Sequence, residues 1–186
     1  MTTGGIVSIT AAAGVAGAGV WLYNRLVRLR NLSRSSWSDI DVMLRKRHDL
    51  VGNLVETVKG YAAFEKATLQ GVTEARARAM RAAGPAEKGP EEGSLGKSLS
   101  SLFAVAENYP DLKASESFLT LQKQLAELEN GIEYARRYYN AVVRDYNTAT
   151  ETFPSTIVAS LFGFGPEEFF QVESPREREA TDVRVS

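Results

Sequence analysis

From Phe118 to Phe153, eleven side chains step along the sequence by three or four residues without a break: Phe118, Leu121, Leu125, Leu128, Ile132, Ala135, Tyr139, Val142, Tyr146, Ala149 and Phe153. That period puts all of them on one face of an α-helix, and at 1.5 Å per residue the face is about 50 Å long. A stripe of that length cannot be left in water, so the rest of the chain has to supply helices to cover it. Ser115 is a suitable N-cap for this helix and Pro154 a stop.

The first half of the chain carries the same signal. Trp37, Ile40, Leu44, Val51, Leu54, Val58, Tyr61, Leu69 and Val72 recur at helical spacing with no proline before Met80, which predicts one long amphipathic helix. Arg47 and Glu65 fall where a heptad seam expects apolar residues, so the seam is not a pure coiled coil. Gly52 costs about 1 kcal/mol relative to Ala in a helix interior and marks a place for a bend. Gly84 to Ser98 (GPAEKGPEEGSLGKS) mixes Gly, Pro and charge and predicts an exposed connection over 84–98. A shorter helix from Leu95 to Glu107 should end before Pro110. No stretch alternates with period two, so no sheet is expected. The fold class is all-α: an N-terminal membrane helix followed by an elongated antiparallel helical bundle over 24–172.

The membrane helix is read from Gly5 to Tyr23 (GIVSITAAAGVAGAGVWLY), which has no charged residue. As a helix it reaches about 28 Å, close to the thickness of a bilayer's hydrocarbon core. A cleaved secretory signal would carry its basic residues before the apolar stretch, whereas here Arg25, Arg28, Arg30 and Arg34 come after it. By the positive-inside rule these arginines keep their side in the cytoplasm, leaving residues 1–4 outside the membrane and the bundle inside. Trp21 and Tyr23 fit the headgroup level, and with the four arginines they form the expected membrane-interface set. Ala13 with Gly17 and Gly14 with Ala18 would let a second membrane helix approach, although such pairs arise easily in an Ala- and Gly-rich run. Residues 173–186 are polar and aperiodic and are expected to form a disordered tail.

Composition removes much chemistry. Cysteine is absent and histidine occurs once, so thiolate catalysis, disulfides, zinc fingers and iron-sulfur clusters are excluded within this chain. Twenty-two basic against 23 acidic residues give a net charge of −1, which offers nucleic acid no basic surplus as a partner. The single imidazole, His48, lacks the Glu three residues earlier and the second histidine of a di-iron bundle. No Gly-x-Ser-x-Gly elbow is present, and Gly93-Ser-Leu-Gly-Lys-Ser98 is too short between its glycines for a phosphate loop. No catalytic residue, metal site or cofactor is therefore expected.

What remains is polar surface. Glu133, Arg137, Asn140, Arg144 and Asn147 make a stripe beside the apolar face of the last long helix, and Asp39, Asp41 and His48 lie on the first. Together they form the candidate interaction surface, either as helix-to-helix pairs that fix register or as contacts to another subunit. Arg45, Lys46 and Arg47 lie too far along the helix to share the bilayer surface and are assigned to a neighbouring protein.

Several strings in fixed order carry a family resemblance: Trp37-Ser-Asp-Ile-Asp-Val42, Arg47-His-Asp-Leu50, Asn53-Leu-Val-Glu-Thr-Val-Lys-Gly-Tyr61, Glu107-Asn-Tyr-Pro-Asp-Leu-Lys113 and Ala135-Arg-Arg-Tyr-Tyr-Asn140. From about Tyr23 to Phe170 the chain resembles the LemA family of bacterial membrane proteins. The resemblance implies an N-terminal membrane helix, an antiparallel helical domain and no established enzymatic activity. Gly52 stands where that family commonly has proline and Phe64 where it frequently has histidine. The expected function is a non-enzymatic membrane-anchored scaffold or adaptor that self-associates or docks another membrane protein. The alternatives are a lipid-engaging membrane-remodelling protein, in which the block Phe153 to Phe170 meets lipid rather than capping the bundle, and an enzyme using Asp39, Asp41 or Glu56.

Overall fold

The computed structural model describes residues 3–61 and 65–172, with side chains from 12 onward. Among the described residues six helices follow in order: α1 (Thr3–Lys59), α2 (Lys66–Arg81), α3 (Gly84–Ala106), α4 (Pro110–Lys113), α5 (Glu116–Glu151) and α6 (Ser155–Phe162). No strand occurs among the described residues. The chain forms two compact units, the first from Met1–Trp37 and Tyr138–Glu168, the second from Ser38–Arg137 and Phe169–Ser186.

In the second unit, the later part of α1, α2, α3, α4 and the early part of α5 surround one core. Val51, Leu54 and Val58 from α1 meet Val72, Ala75 and Ala79 from α2, Leu95, Leu99 and Leu102 from α3, and Phe118 and Leu125 from α5. Residue pairs fix the helix directions. Asp41 with Lys88 and Arg47 with Glu92 ascend together, so α1 and α3 run parallel. Met43 beside Gly131 and Arg47 beside Glu129 run in opposite senses, so α5 is antiparallel to α1.

The first unit closes around Leu26, Tyr146, Ala149, Val158, Ala159 and Phe164, with Leu22, Val27 and Leu29 against them. Trp37 packs on Tyr139 at 5.5 Å between ring centroids. Gly163, at φ 68°, ends α6 in the left-handed conformation that glycine adopts without steric penalty. The reversal brings the Phe164 amide to the Ala159 carbonyl at 2.9 Å and turns the Phe164 ring back into the core.

Two expectations are corrected. The helix predicted to run unbroken to Met80 stops at Lys59, where Gly60 and Tyr61 close tight turns on Thr57 and Val58, and a new helix begins at Lys66. α1 continues through Gly52, whose missing side chain makes room for the Arg76 guanidinium, which a Cβ there would meet at 3.2 Å. The supposed exposed connection 84–98 is helix, with Gly89, Glu92 and Leu95 buried. Pro85 sits where a helix start tolerates it, Glu87 accepts the Ala83 amide at 3.0 Å, and Pro90 forgoes one backbone bond inside the helix. Tertiary contacts offset that loss.

The apolar stripe of α5 is buried or half-buried from Phe118 to Ala149, whereas Phe153, at 80% exposure, falls beyond the helix end. Among the described residues no helix is long and apolar enough to cross a membrane. Of the expected span 5–23, the side chains of residues 5–11 lie outside those described. Residues 1–4 and the expected tail 173–186 also lie outside the described side chains.

Candidate functional site

The charged residue that breaks the apolar seam of α1 organises the second unit. Arg47 is buried, and its Nη1 donates to Glu92 Oε2 at 3.0 Å. His48, only 4% exposed, places Nε2 at 2.6 Å from Glu92 Oε1. An ionised Glu92 can only accept, and opposite it Nε2 is the donor of the imidazole hydrogen. Arg47 Nη2 also reaches Glu129 Oε2 on α5 at 3.0 Å, and Arg76 Nε donates to the His48 carbonyl at 2.6 Å. One network thus ties α1 to α2, α3 and α5. Buried ion pairs seldom add net stability over well-packed apolar groups; what this one provides is directional contact between α1 and the three helices around it.

Beside it lies a second pair. Asp41 is held by Lys88 and Arg45. Burial alone raises its carboxyl, but hydrogen bonds and charge from Lys88 and Arg45 together outweigh that and hold it below its ordinary value of 3.8. A depressed carboxyl stabilises the fold fully above the ordinary value, and the contribution is lost as pH falls through the lower folded value. Asp41→Asn should therefore flatten the fall in stability below about pH 4. Urea denaturation of the full chain at stepped pH checks this; an unchanged acid slope refutes it.

Between α3, α5 and the segment Phe169–Val172 the second unit opens a cleft of about 890 Å³. Leu99, Phe103, Leu125, Ile132 and Phe170 give it an apolar floor; Lys97, Arg136 and Arg137 oppose Glu129 and Glu133 at its rim. Arg47 and Glu92 form part of the wall, so the buried network also shapes the cleft.

The sequence-derived residues divide accordingly. Glu133 and Arg137 form an exposed i,i+4 ion pair on the cleft rim. Arg144 and Asp39 are exposed, and Asn140 is half-buried. Asn147 is a clamp inside the first unit: its Nδ2 donates to the Glu167 carbonyl and its Oδ1 accepts the Glu167 amide, both at 2.9 Å. Tyr139 donates to the neighbouring Glu168 carbonyl at 2.8 Å; burial, aided by the charge of Glu167, pushes its hydroxyl up to about 12. His48 and Arg47 lie inside the second unit rather than on a surface open to a partner. Arg45 is exposed on Asp41, and Lys46 is exposed.

In the first unit Trp21 is 62% exposed under the Arg25 guanidinium. Arg28 and Arg34 are exposed as well. Arg30 differs from the rest of the expected interface set, because its guanidinium lies 4.6 Å over the Phe164 ring. Tyr23 packs edge-on to Phe162 and Phe164. Among the described residues no group of three His, Asp or Glu side chains is placed to hold a metal ion.

Sequence reasoning missed Glu92, Lys88 and Glu129, and it had Phe170 only as the end of the apolar block 153–170. The available signal was Arg47 in an apolar register, which demanded a buried acid somewhere in the chain.

Comparison with known proteins gives relatives of two names. Magnetosome protein MamQ 2 of Paramagnetospirillum magneticum is 26% identical over 175 residues, covering 80% of this chain and 64% of its own length. Magnetosome protein MamQ of Magnetospirillum gryphiswaldense is 25% identical over 174 residues with the same coverage. Protein LemA of Metamycoplasma hominis is 28% identical over 167 residues, covering 88% of this chain and 74% of its own length. The chain thus matches only about two thirds of the length of the magnetosome relatives. Residues 36–185 match the LemA family, a range that takes in the Arg47–His48–Glu92 network and the whole cleft; the chain belongs to the LemA family.

Proposed function

We propose that this protein is a non-enzymatic, membrane-anchored helical scaffold that associates with a second copy of itself through the α3–α5 cleft. The observation that carries this reading is the cleft's apolar floor inside a rim of both charge signs, which is the anatomy of a protein interface. Because the rim carries both signs, a two-fold contact can bring Glu129 and Glu133 of one copy to Arg136 and Arg137 of the other without setting like charges together. The buried acids and bases among the candidate residues are already engaged in holding helices together, which favours a structural role over acid-base chemistry. The relatives' names, LemA and magnetosome protein MamQ, designate no reaction. Anchorage rests on the uncharged stretch 5–23, and the arginines after it favour a cytoplasmic location for the cleft.

One experiment addresses both parts. The chain has no native cysteine, and Lys97 is exposed on the rim, so Lys97→Cys offers a single thiol. In intact cells a membrane-permeant bis-maleimide should give a covalent dimer and an impermeant one should not until lysis. Arg137→Glu should lower the yield several-fold, and adding Glu133→Arg should restore it. Absence of a dimer with either reagent rules out self-association at this cleft; dimer formed by the impermeant reagent in intact cells reverses the orientation.

A further inference from the structure

We infer that α6 is a lipid-contacting element whose outward face lies in the interfacial region of a bilayer containing anionic lipid. The inference rests on the membrane anchorage proposed above. Ser155, Val158 and Ala159 face inward, and the last two belong to the core that includes Leu26, Tyr146 and Ala149. The opposite face is also apolar: Leu161 is 75% exposed, and Ile157, Phe162 and the preceding Phe153 are exposed with it. No charged residue occurs from Thr152 to Pro166. A helix apolar on both sides in a folded chain marks a surface that something else covers.

The covering material is indicated by what adjoins this face. Tyr23 contacts Phe162 at 4.8 Å between ring centroids and Phe164 at 5.6 Å, so α6 sits against the last residue of the uncharged stretch of α1. Trp21 is exposed two residues earlier. The exposed charges on this part of α1 are Arg25, Arg28 and Arg34, and from Met1 to Ser38 the sequence has no Asp or Glu. Aromatic rings beside arginines, with no carboxylate interspersed on that stretch, match the headgroup layer of an anionic leaflet. A second copy fits less well, because a two-fold contact centred on this stretch of α1 would set arginine against arginine. The cleft rim, which carries both signs, has no such bias.

The test uses the full chain with Leu161→Cys carrying a polarity-sensitive fluorophore, and Lys123→Cys, at an exposed position on α5, as reference. Both are mixed with phosphatidylcholine vesicles with and without phosphatidylglycerol, some bearing nitroxide on the acyl chain. The expected result is flotation with vesicles, a blue-shifted emission at 161, and acyl-chain quenching at least threefold stronger there than at 123 when phosphatidylglycerol is present. If the protein floats but 161 stays as open to aqueous iodide as 123, the inference about α6 fails and anchorage stands. If the protein does not float, both fail. Shielding from iodide without lipid quenching means that protein covers α6, and equal quenching in purely zwitterionic vesicles removes the anionic partner; either result overturns the inference.

Discussion

Glu92→Ala is expected to destabilise the protein by about 3 kcal/mol, near the lower end of what removing one partner from a buried ion pair usually costs. Glu92 is only 1% exposed, and its carboxylate is shared by Arg47 and His48. Truncation leaves the imidazole N–H without its acceptor and Arg47 with Glu129 alone. Glu129 is half-exposed and its attraction is weakened by solvent, which is why the loss is large yet not at the top of the range. Replacing both charges, as in Arg47→Met with Glu92→Met, should cost less than Glu92→Ala by itself, because no buried charge is left unpaired and the half-exposed Glu129 turns to water. Urea midpoints of the three proteins at pH 7 measure this. A Glu92→Ala loss below about 1 kcal/mol would show that water reaches the network.

Gly89→Ala should be nearly as severe for a steric reason. A Cβ at Gly89 would stand 2.0 Å from the Gln171 carbonyl oxygen and 2.8 Å from its carbon, and these are backbone atoms that cannot swing aside. Either α3 shifts or the segment Phe169–Val172 leaves, taking with it Phe170, which is fully buried. Loss of that ring from the core is worth about 2–3 kcal/mol. Gly71→Ala is the matched control: Gly71 is on α2, exposed, with nothing within 4 Å of an added Cβ. There the substitution should stabilise by about 0.5–1 kcal/mol through helix propensity. If Gly89→Ala acts by expelling the segment, combining it with Phe170→Ala should add little beyond the larger single effect. Gly89→Ala behaving like Gly71→Ala would refute the close approach.

The sequence made α5 legible because its apolar period ran long enough to exclude alternatives, and ten of the eleven stripe residues fall on that helix. It did not make α3 legible. In GPAEKGPEEGSLGKS the local preferences oppose helix, and what overrides them lies far away: Arg47 and His48 receive Glu92, and Gln171 fills the space at Gly89. The loss of α3 hid the site as well. Arg47 in an apolar register announced a buried partner, but the partner sat in a stretch that read as solvent-exposed. Glu133 and Arg137 were found by spacing alone because both lie on one face of one helix, whereas the floor beneath them draws on α3 and on Phe170, whose arrival beside α5 no local pattern encodes.

Each compact unit is assembled from two separated stretches of chain, Met1–Trp37 with Tyr138–Glu168, and Ser38–Arg137 with Phe169–Ser186. No single cut of the backbone parts one unit from the other. A shortened gene that starts at Ser38 strips Leu26 from beneath Tyr146 and Val158, and one that stops at Arg137 removes Phe170 from the other core. Neither unit is a transferable module. Recombination or fusion at one point would pass on half of each, so α1 and α5 have to be inherited together for either core to close.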